Sequence, residues 1–351
     1  MENYKQILEY LAVEHRASHR DLVRLIATAD SERLAWACGL AREIREEWFG
    51  RGVYLRGLVE ISNRCGGGCY YCGLRAENGR VHRYALSEEE ILSSCREGYG
   101  LGLRSFVLQG GEVRDRGVQI ADVVRRIKNE MPDVALTLSL GEQSEEVYGL
   151  WRDAGADRYL LRHETATREH YERLHPARMS FEGRQRCLRV LRELGYQIGA
   201  GFMVGSPFQG EEELAREVEY LTTLEPEMVG IGPFIPQSDT PFAGEKRGSV
   251  ERTLLMLALT RIVLPKALLP STTALASVDE SGTVRGLMAG ANVVMPNITP
   301  PQYRPDYAIY DGKKSFGTES GKGIAKLCEE LVGGGFEPVM SRGDHPDYVV
   351  K

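Results

Sequence analysis

The spacing of apolar residues along the chain changes at about residue 57. Before it, Ile7, Leu8, Leu11 and Ala12, then Leu22, Leu25 and Ile26, then Leu34, Cys38, Leu40 and Ile44 recur at helical intervals. They predict two or three helices forming an N-terminal cap over residues 1–50. From residue 57 onward short, β-branched apolar runs appear at 57–62, 105–109, 134–139, 158–162, 197–204, 228–232, 267–271 and 292–295. Between them lie helical stretches at 87–99, 118–130, 144–154, 180–194, 211–224, 251–263 and 283–288, with Ser87 and Ser144 placed as N-terminal caps. Strands buried on both faces and separated by helices predict a parallel sheet. Eight such units over about 240 residues predict an α/β fold, a complete (β/α)8 TIM-type barrel at 51–300. A doubly wound open sheet is the alternative, and eight strands would make it unusually wide. Residues 301–351 form a C-terminal extension: a Pro- and Tyr-rich loop across the barrel mouth, a helix near 322–331, and a loosely attached tail from residue 340.

Composition narrows the classes of function. The 351 residues are 42% hydrophobic and 27% charged, with a net charge of −6, which argues against nucleic acid or an anionic membrane as the main partner. The first residues are charged and amphipathic, unlike a signal peptide, and no apolar run reaches the about 18 residues that a membrane span needs. Seven cysteines, three of them clustered, do not make a disulfide framework, so a reducing, cytoplasmic compartment is expected. Cys38, Cys95, Cys187 and Cys328 stand singly in helical surroundings and read as small apolar residues.

The clustered cysteines carry the chemistry. Cys65-Gly-Gly-Gly-Cys69-Tyr-Tyr-Cys72 places three thiolates on one loop directly after the first strand. An iron–sulfur cube has four irons, so three protein ligands leave one iron open. A structural zinc site closes all four positions and needs a second ligand pair, and none is spaced for it here. A partial zinc knuckle or a redox pair is the bland alternative. Tyr71 adds an aromatic face beside the last thiol.

In such barrels the active site gathers at the C-terminal ends of the strands. The second strand ends in Gln109-Gly110-Gly111-Glu112, where glycines allow close backbone approach and Glu112 offers an acceptor to an ammonium group. Thr137 and Ser139 share one face of the third strand, as Arg158, Arg162 and Glu164 do around the fourth. Burying those charges requires partners, so the two arginines suggest an anionic ligand in the lumen. Arg184 opens the next helix, where its fork suits a carboxylate. Ile231, in a Gly–Pro-rich strand end, offers a backbone edge for an adenine ring. Thr272, Thr273 and Met295 follow the last two strands.

On these residues the chain resembles the [FeFe]-hydrogenase maturase HydE family, a branch of the radical S-adenosylmethionine (SAM) enzymes. The matching runs are Asn63-Arg-Cys65, Tyr71-Cys72-Gly-Leu-Arg75, Val107-Leu-Gln109, Thr137-Leu-Ser139, Tyr159 through Ala166, Gly230 through Pro236, and Asn292 through Asn297. They extend from about residue 50 to 315. The resemblance implies one [4Fe-4S] cluster on Cys65, Cys69 and Cys72. It implies SAM contacts from Tyr71, Gln109, Gly110, Gly111, Glu112, Thr137, Ser139, Glu164, Arg184 and Ile231. A substrate wall of Thr137, Arg158, Arg162, Thr272, Thr273, Met295, Tyr303 and Tyr307 is also implied. The implied substrate is a small iron–cysteine complex bearing CO and cyanide, or a related sulfur-containing, amino-acid-derived molecule. Other hydrogenase maturases and an electron donor are the implied partners. Some family members carry three more cysteines near the C-terminus; residues 312–321 hold none here, so an accessory cluster is not expected. An amino-acid mutase resembling methylornithine synthase is the alternative within the superfamily. Biotin synthase is disfavoured, since no lumen-facing cysteines lie on the second, third or fifth strands. A zinc-stabilised scaffold without catalysis is the alternative outside it.

Overall fold

The structure is a computed structural model that describes residues 2–314 and 320–349. Three helices come first: α1 (Glu2–Glu14), α2 (His19–Ala27) and α3 (Ser31–Phe49). Ser18 and Asp30 cap the second and third by accepting from Asp21 N–H and Arg33 N–H. Strand β1 (Gly52–Leu55) then leads into the barrel strands β2 (Gly57–Ser62), β3 (Ser105–Gly110), β4 (Ala135–Ser139), β5 (Arg158–Leu160), β6 (Gln197–Val204) and β7 (Met228–Pro233). The helices between and after them are α4 (Glu88–Gly100), α5 (Gly117–Glu130), α6 (Glu145–Asp153), α7 (Arg168–Leu174), α8 (Phe181–Glu193), α9 (Glu211–Leu224), α10 (Val250–Val263), α11 (Thr273–Val278) and α12 (Gly282–Met288). Strand β8 (Val293–Val294), a 3-10 turn (Pro301–Asp306), α13 (Ser320–Gly333) and β9 (Glu337–Val339) complete the order.

Strands β2 to β7 pair in parallel in chain order. The two remaining staves are thinner than the sequence suggests. The run at 267–271 enters the ring only through the bridges Met228↔Leu268 and Pro270↔Val293, and β8 spans two residues. A last bridge, Leu58↔Asn297, returns to β2 and closes the eight-membered ring. The helix periods hold closely; Ser87 and Glu90 form a full capping box on α4. Helix α10 is buried on every side from Thr253 to Val263 because α3 packs along its outer face, and α2 lies along α9. Helices α7 and α11 and strands β1 and β9 go beyond the sequence pattern: each is at most seven residues, too short to show a period. No helix among the described residues is long and apolar enough to cross a membrane.

The tail is not loosely attached. β9 pairs in parallel with β1, and the residues after it turn under the barrel. Arg342 donates to Asp157 at 2.9 Å and to the Val134 carbonyl at 2.6 Å. Asp344 accepts from Gln197 at 2.9 Å, and the Gly343 carbonyl accepts from the buried Arg56 at 3.2 Å. Gln197 opens β6, and Arg56, Val134 and Asp157 lie just before β2, β4 and β5, so the tail plugs the end of the barrel opposite the cysteines. A polar floor of this kind is invisible to hydrophobic periodicity. Residues 315–319, within the stretch where some family members carry cysteines, lie outside the described residues.

Candidate active site

The cysteine loop leaves β2 at the upper rim and is anchored by backbone. Gly66 N–H donates to the Glu112 carbonyl at 2.7 Å, and Gly73 N–H to the Ile309 carbonyl at 3.0 Å. Cys65 Sγ accepts from the N–H groups of Gly67 and Glu112, at 3.3 and 3.4 Å. Sγ of Cys65 and Sγ of Cys69 both lie within 4 Å of the point where a side chain on Gly67 would begin. All three cysteines are free thiols, and burial pushes each up: Cys65, Cys69 well above the usual range, and Cys72 to about 12. Thiols so desolvated ionise only against a bound cation. Three of them on one loop, with backbone donors already aimed at one sulfur, fit the ligand set of an open cube.

Glycines bring the next strand end against this loop. A side chain on Gly111 would begin 2.2 Å from the Arg64 carbonyl oxygen, so only glycine permits that approach. Gly110 beside it ends β3. Gly141 sits at φ +74°, where its missing side chain leaves room for Glu112. Its carbonyl is held by the Tyr159 hydroxyl at 2.8 Å and the Tyr148 hydroxyl at 3.2 Å. Glu112 Oε2 then accepts from Glu142 N–H at 2.9 Å, and burial raises the pKa of its carboxyl.

A charged network continues around the rim. Arg184 Nε stands 2.8 Å from Glu142 Oε1, and its Nη1 donates to the Arg162 carbonyl at 3.3 Å. Burial works against the Arg184 charge, yet Tyr171, Glu142, Glu112 and Glu164 outweigh it and hold the guanidinium firmly ionised. Arg162 and Glu164 face each other at 3.6 Å. Arg162 Nε is buried without a hydrogen-bond partner, and Arg162 Nη2 and Glu164 Oε2 are buried with only their loose 3.6 Å contact to each other. Donors and an acceptor left open at the mouth of a barrel are what an amino-acid ligand with both ammonium and carboxylate would satisfy. Glu164 itself has φ +68°, an uncommon conformation for a residue with a side chain. It is held there by its neighbours: His163 donates to Glu217 at 2.7 Å and accepts from Gly201 N–H at 3.1 Å, and the other Glu217 oxygen accepts from Ala166 N–H.

The lumen below is lined by small residues on one side. Alternation along β6 and β7 turns Gly199, Gly201, Gly230 and Gly232 inward and sends Ile231 outward into the core. At Ile231 only the backbone edge faces the site, as the Gly–Pro-rich strand end led one to expect. Thr272 Oγ1 lies close to Gly232 and caps α11, whose first residue is Thr273. Gln109 donates to the Tyr307 hydroxyl at 3.2 Å, fixing that ring as part of the roof. Ser139 ends β4 in register with Gln109, and Thr137 lies deeper, buried with its hydroxyl unpartnered. Met295 packs against the small buried cluster of Met228, Leu268 and Val293.

Two expected wall residues lie elsewhere. Arg158 is the first residue of β5, at the floor, where it bonds to Asp344 at 2.6 Å, the Arg342 carbonyl at 2.6 Å and Ser105 Oγ at 3.0 Å. It shares a face with Arg162 but sits at the opposite end, and its counter-charge is the tail. Tyr303 stacks on Tyr84 with ring centres 4.9 Å apart and donates to Glu90 of α4 at 2.7 Å, outside the lumen.

Two features were missed from sequence. Lys313, on the loop crossing the mouth, reaches the fully buried Glu60 of β2 at 2.5 Å. His175 holds Tyr71: its Nδ1 donates to the Tyr171 carbonyl at 2.9 Å, so Nε2 accepts from the Tyr71 hydroxyl at 3.1 Å. Burial lowers the His175 pKa to about 3, so it stays neutral in that role. Neither residue belongs to a local motif; Glu60, the one acidic residue of the apolar strand β2, was the available signal.

Residues 59–221 match the model of the Radical SAM superfamily. The chain is 47% identical over 278 residues to the [FeFe] hydrogenase maturase subunit HydE of Thermotoga maritima, covering 78% of each chain. It is 30% identical over 324 residues to the 3-methylornithine synthase of Methanosarcina acetivorans, covering 92% of this chain and 90% of that one. The crystal structure of methylornithine synthase (PylB) superposes with a TM-score of 0.82 at 26% identity, covering 95% of this chain and 97% of the other.

Proposed function

Because the chain belongs to the HydE family of radical SAM enzymes, we propose that it uses one [4Fe-4S] cluster and SAM to transform a small iron–CO–cyanide complex of cysteine during assembly of the hydrogenase active centre. When bound, the reduced cluster and SAM supply a 5′-deoxyadenosyl radical. The protein's own part is to hold and to exclude. Cys65, Cys69 and Cys72 ligate the cluster. Gly110, Gly111 and Glu112 offer acceptors to the SAM ammonium, while Arg184, with Gln109, Ser139 and Glu164, takes the remaining polar groups. The backbone at Ile231 and the ring of Tyr71 flank the nucleoside. Arg162, Thr272 and Thr273 provide donors to an anionic substrate, with Thr137, Met295 and Tyr307 completing the wall. The tail-plugged floor and the Lys313–Glu60 contact keep water from the lumen, which protects a radical from side reactions.

The observation that carries this reading is the buried, unpartnered Arg162 Nε and the loose Arg162–Glu164 contact beside three desolvated thiols. Other maturases supply the substrate and accept the product in this scheme. Anaerobic complementation tests it: the reconstituted protein, added to a maturation mixture lacking HydE, should restore hydrogen production. Failure there, combined with 5′-deoxyadenosine formation on a free amino acid alone, would favour a mutase resembling methylornithine synthase.

A further inference from the structure

Glu164 reaches the site from a backbone conformation that a residue outside the site maintains. At φ +68° the chain turns sharply, so that Glu164 N–H donates to the Gly201 carbonyl at 3.0 Å and Glu164 bridges to Phe202. Glu217 of α9, fully buried, grips both sides of this turn. Its Oε2 accepts from His163 Nε2 at 2.7 Å, and its Oε1 accepts from Ala166 N–H at 3.0 Å. His163 Nδ1 accepts in turn from Gly201 N–H at 3.1 Å. Gly201 admits no side chain, since one would begin 2.2 Å from the Gly230 carbonyl oxygen. A single carboxylate therefore ties the residue before Glu164 to the residue two after it, and His163 ties both to β6.

Packing alone does not call for this clamp. A backbone N–H can only donate, so His163 Nδ1 carries no hydrogen and the ring meets Glu217 through Nε2–H as a neutral donor. Among the described residues no arginine or lysine pairs with Glu217. A buried carboxylate held by neutral donors carries a desolvation penalty, and a left-handed backbone at a residue with a side chain carries a steric one. The rings of Phe202 and Tyr220 already flank His163, and apolar side chains between them would fill the same space without a buried charge. What the clamp secures is direction. Glu164 faces Arg162 at 3.6 Å, and its charge helps raise the thiols of Cys69 and Cys72 and the hydroxyl of Tyr71, which puts the carboxylate beside the cysteine loop.

Resting on the SAM reading above, we propose that Glu217 is a positioning residue. Through His163 and Ala166 it fixes the direction of the Glu164 carboxylate, and SAM affinity depends on it although it touches neither SAM nor the cluster.

SAM binding is measured by anaerobic calorimetry on the reconstituted protein. Glu217→Gln keeps the size of the side chain but offers one acceptor and one donor where two acceptors are needed. It should weaken SAM binding by about fivefold or more in the wild-type background, yet by less than about twofold when Glu164→Gln is already present, because both changes remove the same contact. Iron content should stay at the wild-type level. Asp344→Asn, which destabilises the fold from the floor, should leave SAM affinity within about twofold of wild type. If Glu217→Gln does not fold, His163→Asn takes its place in the same cycle, since Asn retains an acceptor for Gly201 N–H and removes the donor to Glu217. The inference is overturned if Glu217→Gln binds SAM normally, if its loss is equally large beside Glu164→Gln, or if Asp344→Asn loses as much. Wild-type protein that holds iron but binds no SAM would sink the function proposed above and this inference with it, whereas additive losses sink the inference alone.

Discussion

Arg158 Nη2 lies 2.6 Å from Asp344 Oδ1, joining the first residue of a barrel strand to a tail 186 positions further along the chain. The guanidinium is fully buried, and Asp344 is its carboxylate partner. Removing one member of such a pair leaves an uncompensated charge in the floor.

Asp344→Asn should therefore destabilise the fold by roughly 2–4 kcal/mol at neutral pH. Burial pushes the Asp344 carboxyl up, but Arg158, Gln197 and Arg342 outweigh it and hold its pKa to about 2, below the ordinary 3.8. A carboxyl depressed in the folded state contributes fully above the unfolded value and loses that contribution as pH falls through the folded one. Urea denaturation should show wild type and variant converging as pH drops from about 4 to about 2. Parallel stability curves across that window would remove Asp344 from the account.

Arg158→Gln and Arg162→Gln should behave differently, although the period of two puts Arg158, which opens β5, and Arg162, two residues past its end, on one face. Arg162→Gln should lower substrate turnover by a factor of roughly ten or more, the loss of a charge-assisted hydrogen bond of about 1.5–3 kcal/mol. Its melting temperature should change little, since its guanidinium is only partly satisfied in the fold. Arg158→Gln should lower stability and leave the turnover of the folded fraction near wild type. Chemical melts alongside single-turnover assays separate the two; identical behaviour would contradict the placement of Arg158 in the floor.

Replacing any one of Cys65, Cys69 and Cys72 by Ser should abolish SAM cleavage and bleach the brown colour of reconstituted protein, with circular dichroism unchanged. The wild type should hold about four irons per chain, the content of one cube. A stable content of six to eight would mean that another cysteine group binds a second cluster.

Gly111→Ala tests the approach of the two rim loops. Its new methyl would begin 2.2 Å from the Arg64 carbonyl oxygen and 2.7 Å from Cys65 Cβ, so backbone must shift. The expected result is a reduced iron content and at least tenfold slower SAM cleavage, from displacement of Cys65. Gly79→Ala, where nothing lies within 4 Å, is the matched control.

The helices and most barrel strands were legible because each buries a face of regular period. Helix α9 begins and ends at the residues its pattern predicts, and the outward residues of β6, Ile198, Ala200 and Phe202, are all core. The seventh stave escaped assignment as a strand only in part: Leu268 and Pro270 pair, but the remaining residues do not form a ladder. At the site, local spacing found Cys65, Cys69, Cys72, Glu112, Glu164 and Arg184 because each stands at a strand end or a helix start. The period of two put Arg158 on the correct face but could not say which end of the barrel it serves. That depended on Asp344, and on Lys313 for Glu60, partners that only the folded chain brings together.

The plugged floor has a bearing on how this protein is made. Residues 337–345 leave the ribosome after every strand they seal, so any stave that pairs before the tail arrives does so over an open base. Pairing across 186 positions carries a large loop-closure entropy and belongs late in folding. During synthesis the lumen is thus reachable from below, and it becomes a one-ended vessel only when the tail swings in as its stopper.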